Sequence, residues 1–227
     1  MVFYYFLLSI IAVVLVFAMV LFEPITNIIT FWEKLFVVAV AITSCLFGVS
    51  LTIYPNWWRT FSRNKNHISK VEKGKTKLSF IGHHPDCGTF KRHVIVIKNK
   101  PRCAGCLGLA LGFIVSIILL VIYLFLSLGI SIFTYYILLV FGFFVLFIVY
   151  WETMFNKRYT LLHIIINSLF VLSFLMITLS VFEITNNPFY GILTILVCFL
   201  WLDTRIHLSK QQHKNICASC PKSCKMY

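Results

Sequence analysis

The sequence predicts an all-α membrane protein of about six transmembrane helices, with one small β-hairpin in a long polar loop. Of its 227 residues, 60% are hydrophobic and only 12% are charged, and the mean hydropathy is +0.91. Soluble domains carry about a quarter charged residues. Several uncharged runs are also long enough to cross a bilayer, since about 20 helical residues span its hydrocarbon core. These observations favour helices in a membrane over a soluble core.

Six apolar segments follow one another along the chain. The predicted spans cover residues 2–22, 35–54, 104–128, 131–151, 160–182 and 189–202. The first lacks a basic start and a small-residue cleavage site, so we interpret it as a retained helix and not as a signal peptide. The chain divides into helices 1 and 2 (1–54), a basic loop (55–103), helices 3 to 6 (104–203) and a cysteine-rich tail (204–227). Cys45 and Cys198 fall inside spans, where we expect them to pack.

The basic residues predict how the helices are oriented. Alternate threading of six spans places both termini, the 55–103 loop and the 152–159 connection on one side. That side holds 19 of the 20 Lys and Arg residues, and only Lys34 falls on the other. Basic residues accumulate in cytoplasmic loops. We therefore predict a multi-pass protein of the cell membrane with cytoplasmic termini, whose basic surface faces an anionic inner leaflet and not nucleic acid.

The 55–103 loop carries the first of two clusters of potential metal ligands. The spacing is His84-x2-Cys87, fifteen residues, then Cys103-x2-Cys106, with His83 as an alternative nitrogen donor. Two such pairs are typical of zinc ribbons, in which zinc takes four nitrogen or sulfur ligands. A β-branched run at 94–97 and a turn signal at 98–101 predict a zinc-ribbon-like β-hairpin that joins the pairs. The alternative is an unligated dithiol, because a cytoplasmic location disfavours disulfides.

The tail carries the second cluster. Its spacing is His213-x3-Cys217-x2-Cys220-x3-Cys224, which places four potential ligands within twelve residues. One zinc ion could take all four, or the tail could complete the first site, so we expect one or two zinc ions. An iron–sulfur cluster is an alternative, since cysteines at short spacing can hold one. A tail with unligated thiols is the remaining interpretation.

The first cluster also resembles part of a known family. The similar residues are Gly82, His83, Phe90 and the run 103–108, which enters an apolar helix containing Gly112. They resemble the uncharacterised prokaryotic integral membrane family known as domain of unknown function 2085, over about residues 80–113. By this resemblance His83 takes the family's histidine position, and Cys103 and Cys106 take its cysteine pair. Gly82 stands where the family has a cysteine, and Gly105 where it has an arginine. The resemblance implies a metal or thiol role but no particular reaction.

The spans themselves carry little chemistry. His163, with Asn167 one turn later, is essentially the only ionisable group at membrane depth, and no catalytic motif or internal repeat is evident. Transporters and proton pumps usually carry more such groups. We therefore expect a structural or accessory subunit of a membrane complex, folded by zinc, rather than an enzyme. The alternatives are a membrane thiol–disulfide oxidoreductase that uses Cys103 and Cys106, and an iron–sulfur electron-transfer subunit.

Overall fold

In the residues that it describes, the computed structural model has six long helices and two short β-hairpins. It describes residues 2–22, 29–53, 80–81, 84–85, 94–97, 100–125, 130–154 and 159–218. The helices are α1 (Val2–Phe22), α2 (Phe31–Ile53), α3 (Ala104–Phe125), α4 (Ile132–Met154), α5 (Thr160–Thr185) and α6 (Pro188–Ala218). The strands are β1 (Phe80–Ile81), β2 (His84–Pro85), β3 (Val94–Ile97) and β4 (Lys100–Cys103). In this described part of the chain, six helices are long and apolar enough to cross a membrane, consistent with a multi-pass membrane protein.

Helix α5 forms the centre of the bundle. In its apolar stretch 61% of the residues are buried, against 28% for α1 and 22% for α2. It packs against α3 and α4 along most of its length, and α6 also contacts it. Its side chains Phe170, Ile177 and Val181 are completely enclosed. The outer helices instead leave many large apolar side chains exposed, as expected of surfaces that face lipid tails.

The helices alternate in direction. The starts of α1, α3 and α5 therefore lie on the same side of the bundle as the ends of α2, α4 and α6. Near the start of α1, the Ser9 hydroxyl donates to the hydroxyl of Thr204 on α6 at 3.1 Å. At the same end, Glu152 near the end of α4 lies 3.9 Å from His163 near the start of α5. We call this side the basic end, because the chain segments that leave it carry 19 of the 20 Lys and Arg residues. The predicted alternation is therefore confirmed for the described helices.

Helices α3 and α5 approach so closely that two positions of α3 accept only glycine. A Cβ atom added at Gly108 would lie 2.4 Å from the carbonyl oxygen of Ile164, and one at Gly112 would lie 2.8 Å from that of Ser168. The Ser168 hydroxyl also donates to the Gly108 carbonyl across the interface at 2.8 Å. Small residues permit this packing between membrane helices. The contact fixes the first turns of α3 against α5.

Helix α2 begins earlier than predicted. The predicted start was residue 35, whereas the helix begins at Phe31. Thr30 and Glu33 form a reciprocal cap: the Thr30 amide donates to a Glu33 carboxylate oxygen at 2.8 Å, and the Glu33 amide donates to the Thr30 hydroxyl at 3.3 Å. Such a capping box satisfies amides that the helix itself cannot pair. The predicted span left out Glu33 and Lys34, although the first turn of a span can lie at the membrane surface.

Helix α6 continues well beyond its predicted end at residue 202. It extends to Ala218, so much of the polar tail is helical. No Gly or Pro interrupts residues 203–218, and Leu, Lys, Arg and Gln in this stretch are strong helix formers. Asp203 and His207 face each other one turn apart, with His207 Nδ1 3.5 Å from an Asp203 carboxylate oxygen. The apolar span is thus only the first half of a longer helix.

The two hairpins precede α3. In the second, β3 pairs antiparallel with β4, so that Val94 lies opposite Cys103 and Ile97 opposite Lys100. The predicted strand at 94–97 is confirmed, but β4 begins within the predicted turn. In the first hairpin Ile81 pairs with His84, and β1 also lies against β4. The four strands therefore lie next to the start of α3.

A separate polar cluster ties three helices together at the opposite end. The Lys34 ammonium of α2 lies 3.9 Å from the ring centre of Tyr123 on α3. The Tyr123 hydroxyl donates to the carboxylate of Glu183 on α5. Cation–π contacts of this kind stabilise by about 1 kcal/mol where they are partly exposed. The one basic residue on that side is therefore held against the bundle.

Candidate functional site at the basic end

The two cysteines of the Cys-x2-Cys pair lie where β4 passes directly into α3. Cys103 is the last residue of β4 and is only 5% exposed, while Cys106 is half-buried in the first turn of α3. Their thiols are within hydrogen-bonding reach of each other. The amides of a first helical turn lack partners within the helix and give this end a partial positive charge. The junction therefore presents two adjacent sulfur atoms in a locally electropositive setting.

Arg205 of α6 adds a full positive charge to this setting. Its side chain is 7% exposed and close enough to Cys106 to interact with it electrostatically. The guanidinium lies 5.2 Å from the ring centre of Phe170 on α5. Arginine stacks well on aromatic faces because its planar group is weakly hydrated. The packing between α5 and α6 thus positions a buried cation beside the thiol.

A buried polar group lies directly beneath the junction. His163 of α5 is 6% exposed, and its Nδ1 atom lies 3.9 Å from Glu152 of α4. Asn167, one turn further along α5, is fully buried; its Nδ2 atom donates to the His163 carbonyl and lies 3.3 Å from His163 Nδ1. Buried ionisable groups in membrane proteins face the bundle interior and find partners there. Three helices therefore contribute ionisable side chains close to the cysteine pair.

Gly105, between the two cysteines, leaves space for the His163 ring to lie against the first turn of α3. A Cβ atom added there would lie 3.1 Å from His163 Nε2 and 3.8 Å from Asn167 Nδ2. The imidazole consequently rests against the backbone of the first turn of α3. A larger side chain between Cys103 and Cys106 would displace either the ring or the helix. The absence of a side chain at Gly105 thus connects the cysteine junction to the polar group beneath it.

Of the nine predicted ligands, three have side chains that the structure describes. Cys103 and Cys106 lie together, and His213 is buried on the extension of α6, at 2% exposure. The other six, wholly or in their side chains, lie outside the described residues: His83, His84, Cys87, Cys217, Cys220 and Cys224. Among the described residues, no group of three or more His, Cys, Asp or Glu side chains could hold a metal ion. The ligand sets therefore stay predictions.

Two members of the site were missed by the sequence reasoning. Glu152 was assigned to a connection and Arg205 to the tail, whereas both lie within helices. Spacing could have found the second, because Cys198, Trp201, Arg205 and Leu208 repeat at three- and four-residue intervals and all are buried. A charge on the apolar face of a helix is a signal of a buried polar contact. The predicted span stopped at residue 202, so Arg205 was not considered as part of a helix.

Comparison with known proteins gives no further guide to this site. No known family, curated protein or solved structure matches the chain. The resemblance to domain of unknown function 2085 therefore depends on its short motif alone. The function has to be argued from the geometry at the basic end.

Proposed function

We propose that this chain is a structural or accessory subunit of a membrane complex, in which zinc organises the loop that precedes α3. One observation carries the proposal. The Cys103 and Cys106 thiols are adjacent at the junction of β4 and α3, while β1, in the hairpin of His84, lies against β4. His84 of the first predicted pair thus belongs to a hairpin that neighbours the strand carrying Cys103 of the second.

The donor set suits zinc. Two thiols three residues apart at a helix start can share one ion, and a histidine with a further cysteine completes a tetrahedron. His84, or His83 in its place, and Cys87 would supply those two positions. A site closed by four protein ligands has no position for a substrate, so it stabilises the fold and does not catalyse. This role suits a loop whose described strands have only two to four residues.

The tail is proposed to hold a second ion. Helix α6 places His213 and Cys217 one turn apart, and Cys220 and Cys224 follow in the sequence. A spacing of four residues within a helix is compatible with two ligands of one metal. Zinc is the favoured occupant, and an iron–sulfur cluster is the alternative.

The basic end is proposed to face the cytoplasm. The proposal rests on the 19 of 20 Lys and Arg residues in segments that leave this end. The anionic inner leaflet would then attract the basic loop, and other subunits of a complex could pack against the helices. Membership of the family known as domain of unknown function 2085 is proposed on the same cysteine motif.

Metal analysis of the detergent-purified protein tests the zinc sites. We expect one or two zinc ions per chain, and Cys103→Ser or Cys106→Ser should each remove one. Cys45→Ser is the matched control, because this half-buried cysteine lies within α2, away from the junction. Unchanged zinc content in both junction variants contradicts the proposal. Iron in the purified protein would instead indicate an electron-transfer subunit.

Thiol labelling in intact cells tests the orientation separately. Cysteines 217, 220 and 224 should resist a membrane-impermeant maleimide and react only after the cells are permeabilised. Rapid labelling before permeabilisation would place the basic end outside. This outcome would leave the metal analysis valid, so the two parts of the proposal can fail independently.

A second function is favoured by the pairing of the thiols themselves. Cys103 and Cys106 could cycle between dithiol and disulfide, passing two electrons and two protons to a lipid-soluble quinone, and Arg205 lies close to the reacting sulfur of Cys106. The low exposure of Cys103 makes direct attack by a protein substrate less favourable, so this function ranks second. Metal-free protein with two rapidly titrating thiols at the junction would favour it over the zinc site.

A further inference from the structure

A cavity lies between α2, α3, α5 and α6, away from the cysteine junction. Its volume is about 70 Å³. Buried residues of α3 and α5 form its floor, among them Phe113, Ser116, Phe174 and Thr178. Ser116 is ten residues beyond Cys106, which corresponds to about 15 Å along the helix. The cavity is therefore distinct from the proposed metal site and does not depend on it.

The cavity opens sideways, between α2 and α6. Residues on its rim are less buried than those on its floor: Ser44 and Cys45 of α2 are half-buried, and Phe199 of α6 is 39% exposed. The two helices touch nearer the opposite end, where a Cβ atom added at Gly191 would lie 3.2 Å from Val37. A molecule dissolved in the bilayer could thus enter without crossing an aqueous phase.

The floor contains a hydroxyl that has no partner. A serine within a helix can donate to a carbonyl of the preceding turn, as Ser50 does to Phe47 and Ser173 to Phe170. Ser116 is 1% exposed, lines the cavity, and its Oγ atom has no hydrogen-bond partner among the described residues. A buried hydroxyl without a partner is unfavourable. A ligand that carries an oxygen atom could therefore accept a hydrogen bond from the Ser116 hydroxyl.

Depth restricts the identity of that ligand. Ser116 lies twelve residues into the 22-residue helix α3, close to the middle of the span. Ester carbonyls of phospholipids lie at the membrane surface, about 15 Å from the midplane of a 30 Å hydrocarbon layer. An acyl chain reaches the midplane but brings no acceptor for the hydroxyl. A neutral carbonyl compound that is soluble in the hydrocarbon layer satisfies both conditions.

The volume of the cavity and its aromatic lining restrict the identity of the ligand further. An apolar cavity of about 150 Å³ accepts a whole benzene ring, so this cavity encloses only the edge of one. The remainder of a ring would lie in the opening, beside Phe199, with Phe113 and Phe174 forming further aromatic walls. Offset contacts between aromatic rings are favourable. We propose that the cavity binds a membrane-soluble quinone, with the Ser116 hydroxyl donating to one ring carbonyl.

Quenching of tryptophan fluorescence by decylubiquinone tests this proposal. The ring of this probe is fully substituted, so it does not add to Cys45 or Cys198. Trp201 is fully buried and stacks on Phe174 of the cavity wall, with ring centres 6.2 Å apart. We expect saturable quenching in lipid nanodiscs, which Trp201→Phe should largely remove.

Two serine variants identify the role of the hydroxyl. Ser116→Ala should weaken binding about tenfold, the effect of losing one buried hydrogen bond. This variant should fold normally, since the hydroxyl has no partner in the ligand-free protein. Ser180→Ala is the matched control: Ser180 is also buried, and its Oγ atom lacks a partner among the described residues, but it does not line the cavity. Its affinity should equal that of the unmodified protein.

Three outcomes would overturn the proposal. The first is the absence of saturable quenching. The second is equal affinity in Ser116→Ala and Ser180→Ala. The third is displacement of the quinone by dodecane at comparable concentrations, which would show that the cavity holds hydrocarbon chains. Saturable binding weakened only by Ser116→Ala and resistant to dodecane supports the quinone site.

Discussion

Replacement of Gly108 by alanine tests how the cysteine junction is held against the bundle. The new Cβ atom would lie 2.4 Å from the Ile164 carbonyl oxygen and 2.7 Å from Asn167 Cβ. Ordinary contact distances are about 3.4 Å or more, so α3 and α5 would have to separate by about 1 Å. The obstacle includes backbone, which cannot rotate away as a side chain can. The interface must therefore open along its length.

The expected cost can be estimated from three contributions. Overpacking of a well-filled interface costs about 1–3 kcal/mol. Stretching the bond from Ser168 to the Gly108 carbonyl adds about 0.6 kcal/mol. The higher helix propensity of alanine offsets at most about 1 kcal/mol of this destabilisation. We expect Gly108→Ala to lower the free energy of unfolding by about 2 kcal/mol, measured by denaturation in mixed detergent micelles.

Gly105→Ala is the matched comparison, three residues earlier on the same helix. Its Cβ atom would meet the tip of the His163 ring at 3.1 Å, and a side chain can shift by a few tenths of an ångström. We expect a loss below about 1 kcal/mol, at the lower limit of the overpacking cost. Equal losses for the two variants, or no loss for Gly108→Ala, would refute the idea that backbone contact sets the spacing of α3 and α5.

Three further predictions concern polar contacts between and within helices. Ser168→Ala should lower the free energy of unfolding by about 0.6 kcal/mol because it loses the bond to Gly108, whereas Ser173→Ala, whose hydroxyl bonds only to its own helix, should be nearly neutral in the same denaturation assay. Tyr123→Phe should cost about 1–2 kcal/mol through the lost donor to Glu183, and an unchanged midpoint would show that this bond contributes nothing. Thr30→Ala should cost about 1 kcal/mol and speed amide exchange in the first turn of α2; unaltered exchange there would contradict the capping role.

The number of helices was predictable, but their ends were less so. The length of an uncharged run is enough to identify a span. The hydrocarbon layer disfavours charged side chains and unpaired backbone groups at every position along the helix. Ends depend on local contacts that hydropathy does not measure. At Thr30 a capping box begins α2 before the apolar run, and beyond residue 202 favourable helix formers carry α6 far into polar sequence. In both cases the predicted span stops next to a charged residue, Lys34 or Asp203, through which the helix continues.

Only those features of the candidate site that depend on residues close together in the sequence were predictable. The Cys-x2-Cys pair and the strand at 94–97 could be identified from the sequence, since each depends on neighbouring residues. The surroundings of the pair could not, because they come from three other helices. Glu152, His163 and Arg205 are separated from Cys106 by dozens of residues and come near the cysteine pair only through the packing of α5 against α3, α4 and α6. A single sequence contains no direct signal for such contacts.

The position of these buried charges has a consequence for the proposed metal site. Ionisable groups buried in a membrane protein are costly, and they persist where their partners fix one arrangement of the helices. Here His163 lies against the first turn of α3, Glu152 lies 3.9 Å from His163, Arg205 interacts with Cys106, and Gly108 brings α3 against the backbone of α5. Cys103 and Cys106 therefore lie where α3 packs closely against α5. A metal bound at the proposed site would attach the loop to the helices.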